Sequence, residues 1–384
     1  MKYYNIPADF RKETIDAYDK LNRQYPDSKV VETYGQITVG TMFESGRYFK
    51  SIPSVDLIAL KEYIDYSRER NIEFNYTFNS PYMHNMEFSD DGILKIKSFL
   101  YELYKSGVRI LTIAMPSLID LVKSVDLGFS IKASTICQIT NANKALSYKD
   151  KGVDRIVLDE SVNRDFKTLK AIRNAFGEKV ELIVNSLCHK ECIYRMFHYL
   201  QTSGTYAKEL GEHGQGYFTN RCSLKLFDDI TQIMRLCWIR PEDIRYYEQI
   251  DIRYYKLQGR EYVLFGDPIK TLECYFKEEF DGNLMALLDM FNSKFKFKFE
   301  VDNKKLDGFI RPFIEKENFC RHDCDNCKYC VKYAQEAINI KQADKMIMLS
   351  KRFDKDIDEY TSYIKSVKIN ESTTDICDFD FDNI

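Results

Sequence analysis

The chain has 384 residues, a hydrophobic fraction of 44%, a charged fraction of 30% and a formal net charge of −3, the composition of a globular protein with one large core or a core plus an extension. Lys and Arg number 56 against 59 Asp and Glu, so no charge excess supports general binding to nucleic acid or to an anionic membrane. The first residues, MKYYNIPADFRKETIDAY, carry charges where a signal peptide needs an apolar stretch, and runs such as ILTIAM are too short to span a bilayer. Together these point to the cytosol, where thiols stay reduced and eleven cysteines favour metal binding over disulfides.

Residues 1–30 read as a mainly helical lead-in. From there to residue 265, short β-rich segments alternate with helical ones: Gln36–Thr41, Ile72–Phe78, Arg109–Met115, Phe129–Ser134, Arg155–Asp159, Val180–Asn185 and Tyr254–Gly259. Between them, VDLIALKEYIDYSRERN and DGILKIKSFLYELYKSG show apolar residues at helical spacing, and Gly107, Gly128 and Gly152 stand at helix ends. The even rhythm, with no glycine-rich dinucleotide fingerprint, predicts an α/β fold: a TIM-like (β/α) barrel over 31–265. The remaining strand is expected within residues 200–250.

Beyond residue 265 the rhythm changes, and residues 266–384 are expected to form an α+β extension carrying a cysteine cluster and a helical tail. KFKFKFE (Lys294–Glu300) alternates strictly and predicts a strand with one Phe face and one Lys face. Residues 331–367 read as helical, and the acidic end ESTTDICDFDFDNI as poorly ordered.

Two groups of cysteines carry the chemistry. Cys188 and Cys192 in NSLCHKEC lie beyond the carboxyl end of a predicted barrel strand, the face on which barrel enzymes place their sites, and Cys222 would join them from the following loop. A helix starting near Cys192 would lower thiol pKa values there. Cys320, Cys324, Cys327 and Cys330 are spaced by three, two and two residues, so that one loop can wrap its sulfurs around one centre. That spacing favours a 4Fe–4S cluster, with zinc, aided by His322, as the alternative. The triplet also matches the spacing of radical S-adenosylmethionine enzymes, but it stands after the barrel and has Asn326 before its last cysteine, which argues against that chemistry. Of the others, Cys137 reads as core, Cys237 is the candidate for a fourth ligand of the first group, and Cys377 lies in the acidic tail.

Polar residues gather at the predicted strand ends: Asn79, Ser134, Thr135, Asp159, Glu160, Asn185, Gly259 and Arg260. Arg260 is a candidate binder of a substrate carboxylate or phosphate, or else one half of a structural ion pair. Arg47 and Arg164 carry the same ambiguity. Arg195 and His198, one helical turn apart beside Cys192, are candidate catalytic groups, His198 as a proton carrier near neutral pH.

YGQITVGTMFESGRY, VLDESVNRDFKTLKAI, ELIVNSLCHKECIYRMFHY and WIRPEDIRYYEQIDIRYYKLQGRE, in this order along residues 30–265, resemble the peptidase U32 family. The resemblance implies a TIM-like barrel whose cysteines, here Cys188, Cys192 and Cys222, hold a 4Fe–4S cluster. It also implies either peptidase activity or oxygen-independent hydroxylation of ubiquinone precursors or of RNA bases. In place of the HGAxC-type stretch associated with the peptidases, this chain has NSLC. The expected function is therefore an iron–sulfur-dependent oxidoreductase- or transferase-like enzyme with one or two clusters. Its substrate would be a small molecule, peptide or RNA base, and an electron-donor protein would be its partner. A U32-type hydrolase and a non-catalytic cluster scaffold or electron carrier are the alternatives.

Overall fold

Eight parallel strands pair in chain order and the last closes on the first, so the sheet has no free edge. The computed structural model describes residues 1–43, 45, 52–203, 217–292, 299–339, 355 and 358–367. The strands are β1 (Lys2–Pro7), β2 (Ser28–Gly35), β3 (Glu73–Phe78), β4 (Ile110–Ile113), β5 (Ser130–Ala133), β6 (Arg155–Val157), β7 (Val180–Ile183) and β8 (Tyr254–Lys256). The expected α/β barrel is present, with two corrections at its start. Residues 1–30 are not a helical lead-in: they hold β1, which pairs with both β2 and β8, and the helix α1 (Lys12–Gln24). The second strand is Ser28–Gly35, not Gln36–Thr41, and the described part of residues 200–250 holds no strand. Closure needs eight strands, and the missing one lies at the amino terminus rather than late in the chain.

The crossover helices start where side chains accept from their first free N–H groups. Asp56 accepts from Ala59 N (2.8 Å) to begin α2 (Leu57–Arg68), and Ser89 accepts from Gly92 N (3.2 Å) to begin α3 (Asp90–Lys105). α4 (Pro116–Ser124) begins with proline at its first position. Asn141 and Asp165 cap α5 (Ala142–Asp150) and α6 (Phe166–Phe176) in the same way as Asp56. No helix among the described residues is long and apolar enough to cross a membrane.

The outward side chains of the strands, such as Tyr4, Ile6, Phe74, Leu111 and Tyr255, are fully or almost fully buried against the helices. The inward ones below the mouth are charged or polar. Lys132 on β5 contacts Glu32 of β2 (2.5 Å) and Glu181 of β7 (2.9 Å), and Arg155 on β6 reaches the same two carboxylates at 3.1 and 3.6 Å. Asn5 donates to Glu181 (2.5 Å), Asn75 to Glu32 (3.0 Å), and Thr112 to Asn75 (2.8 Å). Side chains from seven strands can meet like this only inside the barrel. Burial pushes the Glu32 carboxyl up, but Lys132 and Arg155 outweigh it and hold it down at about 2.

The extension packs on the barrel through Arg164 and Arg240. The Arg164 guanidinium lies over the rings of Trp238 (4.2 Å) and Phe309 (5.0 Å), while Arg240 donates to Asn303 O (2.8 Å) and pairs with Asp307 (3.2 Å). Described elements beyond residue 265 are helices and two isolated antiparallel bridges, Asn283 with Asp302 and Val301 with Ile338. Most of the expected strand Lys294–Glu300 lies outside the described residues, as do much of 331–367, the tail with Cys377, and Arg47.

Replacing Lys132 with Met leaves two buried carboxylates short of their main partner and costs about 3–5 kcal/mol of stability, read as a lower urea midpoint. The Glu32 contribution is fully present above its unfolded value near 4.5 and is lost as pH falls through about 2. Wild-type stability should therefore fall steeply over that acidic window, and in Glu32→Gln that part of the slope should vanish.

Candidate functional site

The carboxyl end of β7 sets up the first cysteine group. Asn185 fixes the chain as it leaves the strand: its amide donates to Gln258 O (2.9 Å) and Leu288 O (3.0 Å), and its oxygen accepts from Gln258 N (2.7 Å). It is a structural tie between barrel and extension, not a group turned toward substrate. Ser186 Oγ then accepts from Cys188 N at 3.3 Å, and Cys192 O accepts from Arg195 N (3.1 Å) as α7 (Arg195–Thr202) begins.

Arg195 is buried and fully employed. It pairs with Asp159 (2.6 Å) and Glu160 (3.4 Å), and its other terminal nitrogen donates to His189 O (2.7 Å). This anchors the Cys188–Cys192 loop, so Arg195 positions the site rather than reacting in it. His189 Nε2 lies 3.2 Å from Cys222 O; a carbonyl only accepts, so this nitrogen carries the proton. Burial, together with Lys225 and Arg195, pushes His189 down to about 4 and keeps it neutral. His198 is half-buried on α7, its ring centroid 6.1 Å from that of Phe218.

The helix Tyr217–Asp228 carries Cys222 to the loop beside Cys192. The neighbouring Cys222 thiol, ahead of the positive charges of Arg195 and Lys225, holds the Cys192 thiol down at about 6, and the same coupling pushes Cys222 up. Cys222 also feels the charge of Cys188, so the three expected thiols share one neighbourhood. Cys237 joins it from behind: it is 4% exposed, burial pushes it up to about 12, and Cys188, Glu160 and Arg195 are among the charges it feels.

The second group stands close by. An aromatic cluster props its loop: Phe319 meets Phe313 (5.1 Å) and Tyr329 (5.0 Å), and Tyr329 stacks on Phe309 (5.6 Å) while donating to its carbonyl (2.9 Å). Cys320, Cys324, Cys327 and Cys330 all line one cavity of ≈ 280 Å³. Arg235 lines it too, and its Nε is buried without a hydrogen-bond partner. Burial pushes Cys330 up to about 11 against the pull of Arg164 and Arg235. A second cavity of ≈ 300 Å³ is lined by His189, Cys237, Cys320, Cys324 and Cys330, but by none of Cys188, Cys192 and Cys222. The loops touch directly. His322 receives Lys190 Nζ at Nε2 (3.0 Å) and meets Glu191 at Nδ1 (3.1 Å), so both ring nitrogens are engaged with the first loop and not with the neighbouring sulfurs.

Among the described residues, no group of three or more His, Cys, Asp or Glu side chains closes up as the ligand shell of a single metal ion. The donor set nonetheless fits an iron–sulfur cluster. It offers four thiols around a cavity and, beside them, a buried guanidinium N–H in need of an acceptor. Cys137 stays structural: its thiol lies 3.3 Å from Ala114 O, and burial pushes it up to about 11.

Arg260 lies at the barrel mouth, where one terminal nitrogen donates to Gln36 (3.0 Å), Ser45 (2.9 Å) and Thr77 (2.8 Å). Gly259 before it has φ +118°, and a Cβ there would stand 2.7 Å from the Tyr262 ring and 2.9 Å from Met290, so only glycine fits. Arg164, by contrast, is structural, donating to Met234 O (2.6 Å). The sequence reading missed Lys256, the last residue of β8, which is buried at this mouth with its Nζ 3.3 Å from the centre of the Tyr34 ring. A lysine closing an apolar strand beside Gln-Gly-Arg was the available signal.

Residues 53–191 match the profile of peptidase family U32. A Methanocaldococcus jannaschii protein described as an uncharacterized protease, MJ1657, is 29% identical over 282 residues, 73% of this chain and 82% of its own length. Among solved structures, the U32 peptidase Mk0906 aligns with 67% of this chain and 94% of its own at 14% identity and TM-score 0.48. A D-psicose 3-epimerase aligns with 52% of this chain and 81% of its own at 11% identity and TM-score 0.32.

In the metal-free protein, iodoacetamide should alkylate Cys192 ahead of Cys222, with a rate midpoint near pH 6, as peptide mapping would report. Cys222→Ala removes the neighbouring thiol that favours the Cys192 thiolate and should move that midpoint upward.

Proposed function

The chain belongs to peptidase family U32, and on that premise we propose that it is an iron–sulfur-dependent enzyme. Its reaction in this reading is an oxygen-independent modification, hydroxylation or related redox chemistry, of a small molecule, peptide or RNA base at the carboxyl face of the barrel. The observation that carries the reading is the cavity lined by all four clustered cysteines, with the unpartnered Arg235 Nε beside it. A cluster ligated by four thiolates is anionic, and N–H donors facing its sulfurs stabilise it.

When bound, an iron–sulfur cluster supplies one-electron transfer, and an iron with an open position can hold a substrate atom. Cys320, Cys324, Cys327 and Cys330 would hold one such group, and Cys188, Cys192 and Cys222 the other, with Cys237 placed as a fourth thiol. The chain's own groups prepare the sites. Arg195, locked by Asp159 and Glu160, fixes the Cys188–Cys192 loop and sets a positive charge beside the thiols. His189, held neutral, donates one fixed hydrogen bond and moves no proton near neutral pH. His198 is left as the proton carrier of this reading. Cys320 and Cys327 are exposed, which suits electron entry from a donor protein at that loop.

The name of the M. jannaschii relative favours a second reading, peptide hydrolysis. The two readings part on metal content. Under the redox reading, protein purified without oxygen carries about four irons and four sulfides for each loaded site, about eight of each for both. Cys188→Ala and Cys327→Ala each lose one site's share and abolish turnover. Colourless protein, zinc in place of iron, or peptide cleavage surviving in both variants would overturn it.

A further inference from the structure

The interior of the barrel mouth holds a buried cation that makes no hydrogen bond. Lys132, Arg155 and Lys256 bring three positive charges inside the strands, against the carboxylates of Glu32 and Glu181. Lys132 and Arg155 occupy both oxygens of Glu32 and Oε2 of Glu181. Lys256 is 8% exposed, and its Nζ makes no hydrogen bond; the nearest carboxylate oxygen, Glu181 Oε1, is 3.9 Å away, beyond hydrogen-bond range. The ammonium instead rests 3.3 Å from the centre of the Tyr34 ring, and both residues line a cavity of ≈ 60 Å³ at the mouth. The other walls include Thr77, Asn79, Ser134 and Arg260, which are donors or carry hydroxyls. An ammonium buried without an acceptor is costly, and it marks a place where a ligand supplies one.

We propose that this cavity binds a small carboxylate, free or as the terminal group of a larger molecule, with Lys256 as its charged donor and Arg260 beside it. Three features select that chemistry. The surplus of one cation among Lys132, Arg155 and Lys256 is neutralised by one negative charge, which a carboxylate carries. At roughly 10–15 Å³ for each water-sized group, the cavity admits about four to six of them, enough for a carboxylate with the carbon or two behind it. The lining sets Ile136, Val157 and Ile183 beside the polar groups, which suits the carbons behind a carboxylate as well as the carboxylate itself. Burial, with Lys132 and Arg260, pushes the Lys256 amine down to about 7 against the pull of Glu181 and Glu32, the state expected of a site whose counter-charge is absent. The assignment stands on the barrel residues alone, whether or not the cysteines hold a metal.

The test uses the full chain with four probes: sodium acetate, sodium phosphate, triglycine and triglycinamide. Acetate should raise the melting temperature saturably, and Lys256→Met should weaken that response about tenfold or more. In wild-type protein, acetate should protect Lys256 from reductive methylation by formaldehyde, read by peptide mass spectrometry, which keeps the test valid if the variant folds poorly. Triglycine acting at lower concentration than acetate, with triglycinamide inert, identifies a peptide carboxyl terminus as the source; acetate acting alone identifies a free small acid. Phosphate matching acetate, an unchanged response in Lys256→Met, or methylation of Lys256 indifferent to acetate overturns the proposal.

Discussion

The buried lattice of Lys132, Arg155, Glu32 and Glu181 is the constraint on which the rest of the molecule depends. Taking charges out of water is unfavourable, and only close, saturated contacts offset it. The contacts here come from strands far apart in sequence: Glu32 on β2 meets Lys132 on β5 and Arg155 on β6, while Asn5 on β1 meets Glu181 on β7. A slip of one residue in any of these strands would turn its charged side chain toward the apolar helices and leave its partner unpaired. The lattice thus fixes register around the whole barrel, a task that apolar side chains packing inside would perform less selectively.

A barrel filled with charge also decides what its mouth can be. The cavity above the cations and carboxylates is mixed: hydroxyls, the amides of Asn79 and Gln258, Lys256 and Arg260 line it together with Ile136, Val157 and Ile183. Beside the mouth the same preference for paired charge recurs: Asp159 and Glu160, at the end of β6, hold Arg195, and Arg195 holds the cysteine loop. The extension is attached by cations as well, through Arg164 over Trp238 and Phe309 and Arg240 against Asn303 and Asp307.

Much of this was legible in the sequence, and the gaps have physical causes. Six strands, from Ile72 to Gly259, were found within two or three residues, because each is an apolar run between a helix end and a polar turn. β1 was missed because KYYNIP ends in proline and precedes any repeating pattern; its identity rests on pairing with β8, some 250 residues away. β2 was displaced onto QITVGT because SKVVETYG contains Glu32, and a glutamate within a strand ordinarily marks the solvent side. The rule failed because Lys132 and Arg155 wait inside. The spacing of Cys320 to Cys330 put four cysteines on one loop; they line one cavity there, without closing up as the shell of a single ion among the described residues. Arg195 was expected at the cysteines and is there, but its role as an anchor depends on Asp159 and Glu160, which no local pattern links to it. Lys256 escaped notice for the same reason as Glu32.

The mouth and the first cysteine group are electrostatically close because they share a wall. Thr135 lines the mouth cavity and donates to Leu158 O (2.9 Å) and Glu160 (3.2 Å). Glu160 in turn pairs with Arg195, whose guanidinium feels the charge of Cys188. Every member of that chain but Thr135 and Cys188 is at least nine-tenths buried, so little water screens it. Burial pushes the Glu160 carboxyl up even with Arg195 beside it. Arg195 is thus shared: it pairs with Glu160, next to the hydroxyl that lines the mouth, and holds the loop that carries the thiols. This shared wall needs no movement of the barrel, only the fixed distances that its buried ion pairs maintain.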